Sequence, residues 1–292
     1  MFILCRLYAV VCFSIVAFGT TTRNGEATQA TDSFHYPTQR PDFPVPTLAQ
    51  IRTILSQLEG PIISKLTERF NIAAPSSFYT DNGAKLLQFL KYQESLAQAD
   101  GRYLYGKLEY PFTLSPIAPD VKSKSKPFPP GTFHEDGFTG NQNLLKFYLK
   151  ELVPLFTIQT SPFFHLDNST VNEDATYSLD ATLLQLISHR SSIGKVVAES
   201  KFASNVTGFT SLIKSKDSTN IRVLLTNTTQ ESAVLQQAST AASGFSSAWI
   251  TAGASEPSSF GNSLQNVTAK LFRELIDVTT DIEVQYILNR LK

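Results

Sequence analysis

From Leu48 onward, apolar side chains recur at the three- and four-residue steps of an α-helix, in blocks separated by stretches where that period stops. Thr47, with Gln50 three residues on, is a capping-box pattern that opens the first block, and Leu48, Ile51, Ile54, Leu55, Leu58, Ile62, Ile63, Leu66 and Phe70 hold one stripe. Pro61 in mid-pattern predicts a kink or local break. A second helix is predicted over 83–99 and a third over 143–156, the latter carrying Leu144, Leu145, Tyr148, Leu149, Leu152 and Val153. Between them, 103–141 is rich in Pro, Gly, Ser and Lys and reads as a long loop, a length that usually marks function or mobility. Helical period returns over 180–231 and continues to about Ala242. The segment GFSSAWITAGASEPSSFGNS, which holds the single tryptophan Trp249, reads as a second loop. A final helix is predicted over 263–292, about 40 Å long at roughly 1.5 Å per residue. Strand-like alternation is scarce and prolines fall between helical blocks. The expected architecture is therefore an all-α multi-helix bundle, with no repeat at a fixed period.

The stretch from Asp180 to Glu231 concentrates charge among these apolar positions. Arg190 and Lys201 are eleven residues apart, which returns to within about 20° of the same helical face. Asn227 and Glu231 are four apart, as are Thr279 and Glu283 in the last helix, so each pair shares a face. Arg52 lies at the margin of the first apolar stripe. Taken singly, such residues are ordinarily part of a solvated helix face or snorkel at its edge.

Charge balance narrows the function. Lys plus Arg and Asp plus Glu both total 25, so no global field draws the chain to nucleic acid or to an anionic membrane surface. Residues 1–19 combine Arg6, an apolar run and a small-x-small site at Ala17-Phe18-Gly19, the pattern of a secretory signal cleaved after Gly19 and too short to span a membrane. Residues 20–46 read as a flexible, proline-punctuated leader, and 47–292 as the functional domain. Both cysteines, Cys5 and Cys12, lie in the signal, so the mature chain would hold neither disulfide nor thiol nucleophile. Sequons at Asn168, Asn205, Asn227 and Asn266 agree with passage through the secretory route. His35, His134, His165 and His189 are scattered without metal-ligand spacing, and no nucleophile elbow, phosphate-binding loop or dinucleotide fingerprint is present. What remains is charge placed on helices, which suits holding a polyanionic small molecule and stabilising charge rather than covalent chemistry.

GKVVAESKF followed by LIKSKD, with Arg190 ahead and Asn227 to Glu231 behind, closely resembles the yeast-type, all-helical (AroQ class) chorismate mutases. LAQIRTILSQLEGPIISKLTERF, LLKFYLKELVPL and TTDIEVQYILNRL agree with the same family, in the same order, from about Pro46 onward. The resemblance implies conversion of chorismate to prephenate by a Claisen rearrangement, with no cofactor and no covalent intermediate, in a homodimer. It makes Arg52 and Arg190 the clamps on the two substrate carboxylates and Lys201 a donor to the ether oxygen. A protonated Glu283 would donate to the same oxygen, Glu231 would accept from the ring hydroxyl beside Asn227, and Thr279 would complete a carboxylate contact. A glycan on Asn227 would block such a pocket, so that sequon is expected to be unused.

Two places depart from the family pattern. Its effector site uses a tandem arginine and a glycine-serine loop, where this chain reads Gly101-Arg102 and Asp174-Ala175, which implies weak control by aromatic amino acids. The loop over 122–142 has no counterpart in it, and is a candidate surface for a foreign host protein. Secreted relatives in plant-associated fungi and nematodes are thought to divert host chorismate from salicylate-type defence. A signal peptide joined to a retained site fits that use, with the host cytoplasm after uptake as a further destination. The other reading is a secreted helical protein that works only by binding a host protein.

Overall fold

The computed structural model describes residues 45–72, 74–103, 108–115, 133, 137–157, 172–251 and 257–291, without the side chains of 157, 248–251 and 257–260. The signal and leader up to residue 44, Cys5, Cys12, Asn168, most of the 122–142 loop and the Trp249 side chain lie outside that set. All described residues fall in the unit spanning 36–292.

Ten α-helices are described: α1 (Leu48–Phe70), α2 (Thr80–Ala99), α3 (Asn141–Phe147), α4 (Val153–Thr157), α5 (Glu173–Ser192), α6 (Gly194–Ser204), α7 (Val206–Ser215), α8 (Ser218–Leu225), α9 (Thr228–Thr251) and α10 (Pro257–Asn289). No strand occurs among the described residues, so the all-α expectation holds. Local side-chain chemistry sets many of the helix starts. Thr47 and Gln50 form the reciprocal capping box of α1, and Asn172, Asn205 and Asp217 each accept a backbone N–H from the first turn of α5, α7 and α8. Lys216, in the left-handed conformation at φ 55°, ends α7.

Several expectations need correction. α1 runs through Pro61 without a break. The expected start of the second helix near Gly83 stands, since α2 carries left-handed geometry at Asp81, Asn82 and Gly83 and its regular part begins after Gly83. The third helix starts at Asn141 and is interrupted by a π-turn over Tyr148–Leu152 before α4. Much of the predicted second loop is helical, because α9 continues to Thr251 and α10 begins at Pro257. Serines in α9 bond back onto their own helix, Ser243 to the Ser239 carbonyl and Ser247 to the Ser243 carbonyl, which satisfies polar groups that would otherwise favour a loop.

α10 is the axis of the bundle and packs against α9, α6, α5 and α8, while α1 crosses α5 and α9. Two hydrophobic clusters form around it. The first gathers Ile62, Ile63, Leu66, Leu184, Ile187, Ala238, Leu275, Val278 and Ile282, and the second Ile51, Ile193, Val196, Val197, Phe202, Ile221, Leu225, Val284 and Ile287. α1, the α5–α6 run and α10 pass from one cluster to the other, so any residue at the crossing is held by packing on both sides.

The first cluster encloses an ion pair. Arg69 Nε donates to Asp180 Oδ1 at 2.6 Å with both side chains fully buried, and Tyr148 and Tyr79 donate to the same carboxylate at 2.5 Å each. Arg69 also donates to the Ile72 carbonyl and lies over the Phe156 ring. Removing one member of a satisfied buried pair strands the other charge. Asp180→Ala is expected to cost about 3–5 kcal/mol of unfolding free energy in a denaturant titration; a loss under about 1 kcal/mol would show that Arg69 is reached by water.

Candidate functional site

The chain between α5 and α6 is interrupted for one residue only. Ile193 keeps right-handed helical angles (φ −60°, ψ −19°), so the eleven-residue phase between Arg190 and Lys201 survives the junction. Arg190 lies over the ring of Phe272, and Lys201 reaches Glu283, which is again eleven residues on along α10. The α5–α6 run and α10 therefore lie side by side in parallel register. Gly194 makes this approach possible, since a Cβ there would sit 3.0 Å from Thr279 Cγ2 and 3.1 Å from its carbonyl oxygen.

The centre of the site is an ion pair between a half-buried lysine and a buried glutamate. Lys201 Nζ donates to Glu283 Oε2 at 2.7 Å and to the carbonyl oxygen of Leu225, the last residue of α8, at 2.6 Å. An ammonium has three protons, and the described residues take two of them. Glu283 is 5% exposed. Burial drives its pKa up to about 7, Lys201 pulls in the opposite direction, and the carboxylate of Glu231 adds to the rise. Glu231 itself is half-buried in the first turn of α9, whose start is capped by Asn227 accepting the Gln230 N–H at 3.0 Å.

Arg190 is 4% exposed and faces Glu59 of α1 at 3.6 Å, a long contact for a guanidinium and a carboxylate. Its Nε has no hydrogen-bond partner. Burial lowers its pKa, with Glu59 opposing, so this cation is only partly compensated. A buried guanidinium with an unused donor is a receptor for an anionic oxygen.

Of the residues expected from sequence, the structure joins Lys201 to Glu283 and sets Glu231 and Thr279 around Glu283. Thr279 spends its hydroxyl proton on the Leu275 carbonyl of its own helix at 2.5 Å, so in this arrangement it is not set to donate to a carboxylate as expected. Asn227 is exposed at the α9 cap. Arg52 is exposed and touches none of the others; it lies seven residues before Glu59, two turns back on the same face of α1. Glu59 was missed in the sequence, where it looks like any carboxylate on a helix edge. A depression of about 620 Å³ lined by Thr219, Arg222, Val223, Thr226, Asn227 and Thr228 shares only Asn227 with this set and none of its charged members.

No family model matches the chain. The cytosolic chorismate mutase 2 of Zea mays is 29% identical over 258 residues, which span 84% of this chain and 96% of that protein. The chorismate mutase of Emericella nidulans is 27% identical over 252 residues, 84% of this chain and 92% of its own. The chain is homologous to the eukaryotic chorismate mutases. The crystal structure of the Candida albicans chorismate mutase in complex with L-Trp superposes with a TM-score of 0.64 at 24% identity, covering 84% of this chain and 91% of that one, and so shares its fold. These homologues are isomerases.

The electrostatics can be tested without substrate. Glu283 should titrate near pH 7 by carboxyl NMR, and Lys201→Met should move that midpoint upward, because the cation that favours the ionised form is gone. A downward move would mean that Lys201 does not govern this carboxyl.

Proposed function

We propose that this chain is a chorismate mutase that rearranges chorismate to prephenate at the crossing of α1, α5–α6, α9 and α10. The observation that carries this reading is the pairing of half-buried Lys201 with buried Glu283 beside the under-compensated Arg190, in a chain homologous to chorismate mutases over most of its length. Chorismate carries two carboxylates, a ring hydroxyl and an enolpyruvyl ether. Its rearrangement is unimolecular, so the protein has to fold it into a compact chair and stabilise the charge that grows on the ether oxygen.

In this reading Arg190 takes one carboxylate through its unused Nε, and Arg52 swings from solvent onto the other. The third proton of Lys201 meets the ether oxygen. Glu283 meets the same oxygen in its protonated form, which the negative charge of the incoming substrate favours further. Glu231 accepts from the ring hydroxyl with the Asn227 amide nearby, and Thr279 lines the pocket beside Gly194. Bound dianion and Glu59 compete for the same guanidinium, so substrate entry loosens the Arg190–Glu59 contact. The domain layout, with 1–19 as signal, 20–46 as leader and 47–292 as a homodimeric enzyme, belongs to the same proposal. So does its setting: export, action on host chorismate to lower salicylate-type defence, and a host protein held through the 122–142 loop.

Purified mature protein should consume chorismate and release prephenate, and Arg190→Ala should lower kcat/KM about a hundredfold or more. No turnover by the wild type would leave a helical binding protein in place of an enzyme. Because the protonated form of Glu283 is the active one, kcat/KM should fall as pH rises through about 7, the region where this carboxyl ionises in the free protein. Glu283→Gln keeps a neutral donor and should flatten that limb; an identical pH dependence in wild type and variant would assign the limb to another group.

A further inference from the structure

Behind the Lys201–Glu283 pair lies a second polar unit that the reaction as described does not use. Glu199 is 2% exposed, two residues before Lys201 on α6. Its Oε2 accepts from the Tyr286 hydroxyl at 2.6 Å and from Arg290 Nε at 2.6 Å, and its Oε1 accepts from Arg290 Nη2 at 3.0 Å. Tyr286 and Arg290 are 0% and 5% exposed. The Arg290 guanidinium also lies over the ring of Phe202, the residue after Lys201. Tyr286 follows Glu283 by three residues on the same face of α10, and Arg290 stands in the turn just past the end of that helix. Every partner of this clamp is thus within about two turns of a member of the reactive pair. Glu199 and Phe202 flank Lys201 on α6, Tyr286 stands beyond Glu283 on α10, and Arg290 follows that helix's last residue.

We propose that Glu199, Tyr286 and Arg290 form a positioning unit that sets the register of α6 against α10 and so holds Lys201 within hydrogen-bond reach of Glu283. The inference rests on the chorismate mutase reading for its catalytic consequence, but its geometric content does not. The physical grounds are direct. A carboxylate with three short charge-assisted or hydroxyl donors has few alternative arrangements in a closed interior, so a slide of one helix past the other would strand a buried charge. Apolar packing on the two clusters is more tolerant of small slides than such a unit. Lys201 has a long flexible stem and its side chain is 22% exposed; without a fixed helix beneath it, it would turn to water. The groups facing Glu283 are Lys201 from α6 and Glu231 from α9, with Glu199 and Arg290 lying further along the same interface.

The test is a carboxyl NMR titration of Glu283 in the full chain, for wild type, Glu199→Gln and Tyr286→Phe, with kcat/KM for chorismate measured beside it. If the clamp positions the pair, Glu199→Gln lets Lys201 drift and raises the Glu283 midpoint by about half a pH unit or more. The same variant lowers kcat/KM about tenfold or more at unchanged folded content by circular dichroism. Tyr286→Phe, which deletes one hydroxyl and keeps the ring, shifts the midpoint the same way by less. The midpoint decides: if it is unchanged in a folded Glu199→Gln protein, the unit is merely structural and the proposal is wrong. Should Glu199→Gln fail to fold, Tyr286→Phe carries the decision, and a wild-type midpoint in that variant overturns the proposal. Loss of turnover in the wild type itself would overturn the proposed reaction and leave the titration readable.

Discussion

The seam between two hydrophobic clusters is the constraint on which the site depends. Four stretches cross it, and each places a polar group at or near its crossing point. α1 passes from Ile51 to Ile62 with Glu59 between them, and the α5–α6 run from Ile187 to Ile193 with Arg190 between them. α10 passes from Ile282 to Val284 through Glu283, and the chain from α8 to α9 goes from Leu225 to Ala238 by way of Glu231. Apolar packing on either side holds these polar groups where water is scarce. Scarcity of water then shapes their chemistry, pushing Glu283 toward its neutral form and leaving Arg190 short of anions.

Two of the three carboxylates at this seam, Glu283 and Glu231, sit in unlike settings. Glu283 is enclosed by packed helix, whereas Glu231 lies half-buried in the first turn of α9. In the proposed rearrangement, a pair of acids in contrasting environments divides the work of donating a hydrogen bond to the ether oxygen and accepting one from the ring hydroxyl. Covalent catalysis has no part in such a scheme. Its power comes from orientation and from donors aimed in advance at the place where charge develops.

Much of the fold was legible because amphipathic period and capping chemistry are local. Thr47 with Gln50 marked the start of α1, and the stripes of α1, α3 and α10 followed from spacing alone. The run 244–263 misled at its two ends, 244–251 and 257–263, because Gly and Ser are weak helix formers and only tertiary context, such as Ser246 buried against Gly261, makes them helical there. Arg190, Lys201 and Glu283 stood out by phase and family resemblance. Glu59 and Glu199 did not, since an ordinary surface carboxylate and a buried one look alike until the distant partner is known. Glu199 meets its arginine 91 positions later, and nothing in local sequence announces that meeting. Arg52 is the converse case, a residue named by resemblance whose side chain rests in solvent.

The central claim is that a dianion binds at this seam and draws Glu283 into its protonated form. Calorimetric titration with the product, prephenate, in buffers of different ionisation enthalpy measures that proton directly. Slightly above pH 7 the wild type should take up a substantial fraction of one proton on binding, and Glu283→Gln should bind with none. Proton-neutral binding by the wild type, or equal uptake by the variant, would contradict it.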